Sequence, residues 1–105
     1  ERAFGALAAR HPALRTTFPA SAGSPLQRIH PHLKPDVAVQ EAGVWSEAEL
    51  RAVLDREASR PFALEEAPAW RARLWACGGG EHVLLLVFHH LISDFWTIAG
   101  LLGEL

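Results

Sequence analysis

The chain has 105 residues, of which half are apolar and about a fifth are charged, and its net charge is −2 with neutral histidine. This composition is that of one small globular unit and excludes disordered and fibrous chains. The basic residues are scattered, and the longest apolar run, residues 83–88, is too short to span a bilayer, so neither nucleic acid nor a membrane is indicated as a partner. The single cysteine, Cys77, excludes an internal disulfide and fits a reducing, cytoplasmic location.

Both ends of the chain have the pattern of interrupted helices. Residues 1–10 start a helical pattern without a cap, residues 95–105 stop within one, and the chain contains no methionine. We therefore expect the sequence to be a piece of a longer protein.

The first half of the chain predicts one helix followed by short strands. Phe4, Leu7 and Ala8 share one side of a helix over residues 1–11, and Pro12 marks a place close to its end. The segments that follow are a strand at 14–18, a turn or loop at 21–25, and short strands at 26–30 and 37–41.

A second helix is predicted over residues 46–60. Ser46 and Glu49 form a capping box, in which each side chain bonds the backbone of the other residue. Apolar residues follow at helical spacing, and Pro61 ends the helix.

A β-hairpin is predicted next. Residues 70–77 alternate between two faces, and the second face carries Arg71 and Arg73. Either both arginines line a solvated face, or one of them forms an ion pair inside the lobe. Three glycines at 78–80 make the turn, and the apolar run 82–88 predicts a strand that is covered on both faces.

The segment HHLISD at residues 89–94 carries the candidate chemistry. It lies between the second hairpin strand and a helix that begins near Asp94. Adjacent strand residues point to opposite faces, so His89 and His90 are expected to be one structural and one working histidine rather than two ligands of one ion. An imidazole titrates close to neutral pH and suits proton transfer during acyl transfer.

Other interpretations of these residues remain open from the residues alone. A His-His pair at a strand end is more often structural than catalytic, and Asp94 can cap the following helix or pair with an arginine. A metal site lacks strong third and fourth ligands, and His30 and His32 are better read as part of a surface turn.

Four segments together resemble the condensation domain of nonribosomal peptide synthetases. HHLISD is similar to the His-His-x-x-x-Asp-Gly signature, and RHPALRTTF at 10–18 is similar to a second motif, Arg-His-x-x-Leu-Arg-Thr-x-Phe. RPFALEEAP at 60–68 with WRARL at 70–74 resembles the Pro-Phe-x-Leu … Pro-x-x-Arg-x-x-Leu stretch, and residues 81–88 resemble the strand before the active site. The resemblance covers essentially the whole chain.

The resemblance implies an α/β fold, an α+β two-layer sandwich of the chloramphenicol acetyltransferase-like type, with helices packed on a mixed sheet. Residues 1–105 would form a truncated N-terminal lobe that faces a second lobe across a channel. Its partners would be the rest of the condensation domain, an adenylation domain, and upstream and downstream carrier domains. The phosphopantetheine arms of the two carrier domains would bring two thioesters together for amide formation. The reaction would use no metal and no intrinsic cofactor.

The resemblance also implies residue roles. His90 matches the catalytic histidine and His89 the structural one. Asp94 matches the aspartate that pairs with an arginine, for which Arg15, and with less weight Arg10, is the expected partner.

Ser93 and Phe95 are the candidates that would line the channel. Phe95 replaces the family's glycine, which indicates either altered substrate access or an impaired domain. Epimerisation, ester-forming acyl transfer and non-catalytic carrier docking are the alternatives. Heterocyclisation is disfavoured, because its motif has aspartate where His89 and His90 stand.

Overall fold

The computed structural model describes residues 1–92 and 95–105 of the chain. None of the helices among these residues is long and apolar enough to cross a membrane. The main elements are α1 (Arg2–Arg10), β1 (Thr16–Thr17), β2 (Ala20–Ser21), β3 (Ser24–Pro25), β4 (Arg28–Ile29), β5 (Val37–Glu41), α2 (Glu47–Ser59), β6 (Trp70–Ala76), β7 (His82–Phe88) and α3 (Phe95–Glu104).

A mixed three-stranded sheet with the order β5-β6-β7 organises the chain. β5 runs parallel to β6, and α2 lies in the connection between them, which makes a βαβ unit. β7 runs antiparallel to β6, with Trp70 opposite Phe88 and Ala76 opposite His82. The predicted hairpin and the predicted mixed sheet with helices are confirmed, whereas the parallel pairing of β5 with β6 was not foreseen from the sequence.

One face of β6 contributes the apolar core. Trp70 is 1% exposed, and its indole Nε1–H donates to the carbonyl of Leu14 at 3.0 Å. Its ring lies 5.9 Å from that of Phe4 and 6.2 Å from that of Phe88. The buried core residues, which include contributions from α1 and α3, are Leu7, Ala8, Leu14, Trp70, Ala72 and Leu101.

The opposite face of β6 is buried as well, although it carries charge. Arg71 and Arg73 alternate with Trp70 and Ala72, and both guanidinium side chains are buried. The prediction of two distinct strand faces is therefore confirmed, and the interpretation of a solvated arginine face is wrong because other chain segments cover it.

The α2 helix forms as its sequence predicts. Ser46 Oγ accepts from the backbone N–H of Glu49 at 3.1 Å, and the Glu49 carboxylate accepts from the backbone N–H of Ser46 at 2.7 Å. None of its residues is fully buried, and both hydrogen bonds of the capping box are formed.

The strand predicted at 14–18 is shorter than expected. Pro12–Arg15 forms a 3₁₀ turn instead, in which the backbone N–H of Leu14 donates to the carbonyl of His11 at 3.0 Å. Only Thr16 and Thr17 are extended, and they pair with β4, which is itself shorter than the predicted 26–30 strand. The local hydrogen bonds of the turn outweigh the extended propensity of this segment.

The turn predicted at 21–25 is the centre of a tight hairpin. β2 pairs with β3, and Ala22 and Gly23 between them have φ of 50° and 78°. Two successive positive φ values are typical of a type I′ hairpin turn.

The strand β7 has the predicted position but not the predicted environment. It is an edge of the described three-stranded sheet, and Leu84 is 46% exposed. The expectation that both faces are covered is therefore wrong for this part of the chain. An apolar run has the same pattern in a central strand and in a half-exposed edge strand, so the sequence did not distinguish them.

Candidate active site

The candidate site lies where β7 ends beside the start of β6. The backbone N–H of His89 donates to the carbonyl of Ala69 at 2.8 Å, which adds one hydrogen bond beyond the Trp70–Phe88 pair. The chain then turns over residues 90–92, and the N–H of Ile92 donates to the carbonyl of His89 at 3.1 Å. His89 is thus the last residue held by the sheet, and His90 is the first residue of the turn.

The two histidines have different environments. The ring of His89 is half-buried and meets the Phe62 ring edge-on, with centroids 5.9 Å apart and an interplanar angle of 79°. Its Nδ1 accepts a hydrogen bond from the N–H of Leu91 at 3.1 Å, which requires Nδ1 to carry no proton. The side chain of His90 is exposed. One packed ring and one accessible ring were predicted from strand alternation, but here the difference arises because His90 lies in the turn after β7.

Part of the predicted site lies outside the described residues. Ser93 and Asp94 belong to that part, and of Phe95 only the backbone is described, as the first residue of α3. The predicted pairing of Asp94 with Arg15 or Arg10 therefore stays a prediction.

Arg15 connects three segments of the chain. Its Nε donates to the carbonyl of Ala8 in α1 at 2.8 Å, and its Nη1 donates to the carbonyl of His30 next to β4. The ring of His30 is hydrogen-bonded through Nε2 to Thr17 Oγ1 at 2.8 Å, so this histidine supports the same segment. Among the described residues, no group of three or more His, Cys, Asp or Glu side chains could hold a metal ion.

Arg10 connects two helices instead. Its guanidinium lies 3.1 Å from the carboxylate of Glu104 at the end of α3, and His11 Nε2 lies 2.9 Å from the other oxygen of that carboxylate. Both contacts are at the surface, where an ion pair contributes little to stability.

Arg71 and Phe62 were not identified as site residues from the sequence. Arg71 is 1% exposed, its guanidinium lies 4.0 Å from the centroid of the Phe62 ring, and its Nη2 donates to the carbonyl of Arg60 at 2.5 Å. Burial lowers the pKa of Arg71, and the neighbouring positive charge of Arg60 lowers that pKa further, while the carboxylate of Asp36 partly offsets the effect. The Pro-Phe-x-Leu segment was the available signal, but it assigned no role to Phe62.

Arg73 forms the ion pair that the sequence left as an alternative. Its Nη1 lies 2.9 Å from Asp36 Oδ1, and its Nε lies 3.2 Å from Glu57 Oε2. The guanidinium thereby links the start of β5 to α2. The acidic partners were not foreseen, because they precede Arg73 in distant parts of the chain.

Comparisons with known proteins identify the family of the chain. A family model described as "Condensation domain" matches residues 1–105. The chain is 43% identical over 103 residues to the nonribosomal peptide synthetase dtxS1 of Metarhizium robertsii, a match that covers 98% of this chain and 1% of that protein.

Two solved structures have the same fold. The X-domain in its complex with OxyB from teicoplanin biosynthesis is 32% identical, with a TM-score of 0.85 over 99% of this chain and 22% of that one. A holo four-domain nonribosomal peptide synthetase bound to AMP and glycine is 27% identical, with a TM-score of 0.83 over 96% of this chain and 8% of that one. The chain thus spans a small fraction of the proteins it resembles, and it belongs to the condensation domain family.

Proposed function

We propose that this chain is part of the N-terminal lobe of a domain that forms amide bonds in nonribosomal peptide biosynthesis. The observation that carries the proposal is the pair of histidines at the end of β7. The backbone of His89 is hydrogen-bonded to Ala69 and its ring packs on Phe62, while the adjacent His90 is exposed to solvent. A side chain that must meet two tethered substrates has to be accessible and attached to a rigid element.

The reaction would join two thioester-bound substrates. The amine of the downstream aminoacyl thioester attacks the carbonyl carbon of the upstream acyl or peptidyl thioester, the carbon–nitrogen bond forms, and the carbon–sulfur bond breaks. The electron pair leaves on the sulfur of the upstream arm, and one amine proton must be removed. His90 would accept that proton or orient the amine, and the proton ends on the released thiol.

The substrates would arrive on phosphopantetheine arms of upstream and downstream carrier domains, next to an adenylation domain and the rest of the condensation domain. Support comes from the family match and from the similarity to a four-domain synthetase. No further cofactor enters the proposed reaction. A cytoplasmic location is proposed because Cys77 is a free thiol, which fits a reducing compartment.

Asp94 is proposed to support the same loop through an ion pair with Arg15, with Arg10 as the second candidate partner. The guanidinium of Arg15 already connects its own segment to α1 and to His30, the residue directly after β4. The Asp94 carboxylate would connect these segments to the turn that begins at His90.

The test is His90→Ala in the complete synthetase, with single-turnover amide formation followed by mass spectrometry of carrier-bound product. We expect a loss of about 10² or more in the rate, which is the range for a general acid–base group. Amide formation at a near-normal rate would remove the catalytic role of His90.

The matched control is His82→Ala. His82 is an exposed histidine at the opposite end of the same strand, and β7 is about 20 Å long by the rise of a strand. We expect this variant to keep the wild-type rate. An equal loss in both variants would indicate a general effect on the strand rather than chemistry at His90.

A second candidate is a non-catalytic domain that binds a partner protein. Phe95 at the family's glycine position favours it, and so does the similarity to the X-domain, whose solved structure is a complex with OxyB. The same experiment separates the two functions. A wild-type protein that binds its carrier domains but forms no amide supports the second candidate and contradicts the first.

A further inference from the structure

We infer that Arg71 and Phe62 are positioning residues for the proposed reaction, and that they act on His90 through the ring of His89. The inference rests on the proposed function and adds two residues to its site. The contacts form a continuous path, because the Arg71 guanidinium lies 4.0 Å from the Phe62 ring centroid and the Phe62 ring lies 5.9 Å from that of His89.

The first step is the placement of Arg71 on the same sheet face as His89. Arg71 is opposite Val87 in the β6–β7 register, and His89 follows Val87 by two residues with its N–H bonded to Ala69. Residues two apart on a strand share a face. The sheet therefore fixes the distance between the Arg71 and His89 backbones.

The second step is the contact of Arg71 with residues 60–62, which we call the Phe62 segment. Its guanidinium stacks on the Phe62 ring and also donates to the carbonyl of Arg60, two residues earlier. A planar guanidinium can make both contacts at once, whereas the ammonium of lysine is a point charge that cannot stack in this way.

The third step is the open space that the described residues leave beside that segment. A cavity of about 220 Å³ opens beside it, and Arg60, Phe62 and Arg71 are among the residues that line it. Side chains next to such a space can change rotamer more easily than side chains in a filled core. The cation–π contact and the carbonyl hydrogen bond therefore help to hold the Phe62 ring beside this space.

The last step leads from His89 to His90. The His89 ring is held between the edge contact with Phe62 and the hydrogen bond from the N–H of Leu91, and its carbonyl accepts from Ile92. All of these contacts determine the path of the turn that begins with His90. A shift of the His89 ring would displace the His90 imidazole, and small displacements of a catalytic group have large effects on rate.

The experiment measures kcat and KM of amide formation by the complete synthetase for Phe62→Leu, Phe62→Tyr and Arg71→Lys. We expect Phe62→Leu and Arg71→Lys to lower kcat about tenfold or more with KM almost unchanged. Phe62→Tyr keeps the ring edge and should restore a kcat close to wild type. The double variant Phe62→Leu with Arg71→Lys should be no worse than the more impaired single variant, because both act on one path.

The matched control is Arg73→Lys. Arg73 is a buried arginine on the same strand face, but its partners are Asp36 and Glu57 rather than the Phe62 segment. We expect a loss of thermal stability similar to that of Arg71→Lys, with kcat within about twofold of wild type.

The outcomes separate this inference from the proposed function. Amide formation by the wild type with loss in His90→Ala keeps the function, and under that condition a normal kcat in Phe62→Leu overturns the positioning role. Equal kcat losses in Arg71→Lys and Arg73→Lys, or multiplying losses in the double variant, overturn it as well. A wild type that forms no amide contradicts the proposed function itself.

Discussion

The two faces of β6 are both buried, but they differ in what covers them. The face of Trp70 and Ala72 packs on apolar residues from α1 and α3. The face of Arg71 and Arg73 is covered by charged groups and by the Phe62 segment. Burial of apolar area stabilises a fold directly, whereas burial of charge is costly unless the charge is paired.

This difference indicates a division of roles within one strand. The apolar face supplies folding free energy without contact to a side chain of chemical interest among the described residues. The charged face reaches His89 and therefore the proposed site. In the sequence both faces belong to a single alternating pattern. The different roles of the two faces therefore follow from the residues that pack on each face.

The largest stability effect should come from the apolar face. Trp70→Ala in the complete condensation domain should cost about 3–5 kcal/mol of unfolding free energy, because it leaves a cavity in the core and removes the bond to the carbonyl of Leu14. Urea unfolding, monitored by circular dichroism, measures this loss of unfolding free energy. Trp70→Phe is the control and should lose less, since it keeps most of the apolar contact. Equal losses would show that the hydrogen bond, and not the packing, dominates this face.

The charged face should give an intermediate effect. Arg73→Met should cost about 2–3 kcal/mol, because the Glu57 and Asp36 carboxylates each lose their nearer cation and keep, among the described residues, only Arg60, at 3.6 Å and 3.7 Å. The matched control is Arg51→Met, which breaks the exposed pair with Glu47 on the same helix and should change stability by less than about 0.5 kcal/mol. If both variants lose the same amount, the charged face contributes no more than surface pairs, and the comparison of the two faces fails.

The smallest effect should come from the cap of α2, the helix that supplies Glu57 to the charged face. Ser46→Ala should cost about 1 kcal/mol, because the N–H of Glu49 loses its acceptor. Amide hydrogen exchange in the first turn of α2 measures it. Ser59→Ala at the other end removes only an exposed hydroxyl that donates to the carbonyl of Asp55, and it should have little effect. Unchanged exchange in Ser46→Ala would indicate that tertiary contacts, and not the cap, hold the start of this helix.

The elements that local rules specify were predictable from the sequence. The capping box at Ser46, the hairpin of β6 and β7 and its glycine turn, with φ of 78° and 79° at Gly79 and Gly80, depend on neighbouring residues or on strand alternation. The pairing of strands across a long connection was not predictable in the same way. Within the predicted 14–18 strand, the hydrogen bonds of a 3₁₀ turn decided the conformation.

In the candidate site, too, local patterns were predictable from the sequence and long-range contacts were not. The sequence pointed to the His89–His90 pair and predicted different environments for its two rings, from the rule that adjacent strand residues point to opposite faces. The environments differ as predicted, but for another reason: β7 ends at Phe88 and His90 lies in the turn that follows. The sequence did not identify Phe62 as the ring that packs on His89, since these residues are 27 positions apart and only the fold brings them together.

Arg71 and Arg73 illustrate what the sequence determined and what the tertiary structure determined. The sequence by itself placed both arginines on one face of a strand, because the alternation of a strand is a property of the local backbone. Only the tertiary structure gave Phe62 and the Arg60 carbonyl to one arginine, and Asp36 and Glu57 to the other. Asp36 lies 37 residues before Arg73, and a contact over such a separation depends on how the whole chain folds, which no local pattern encodes.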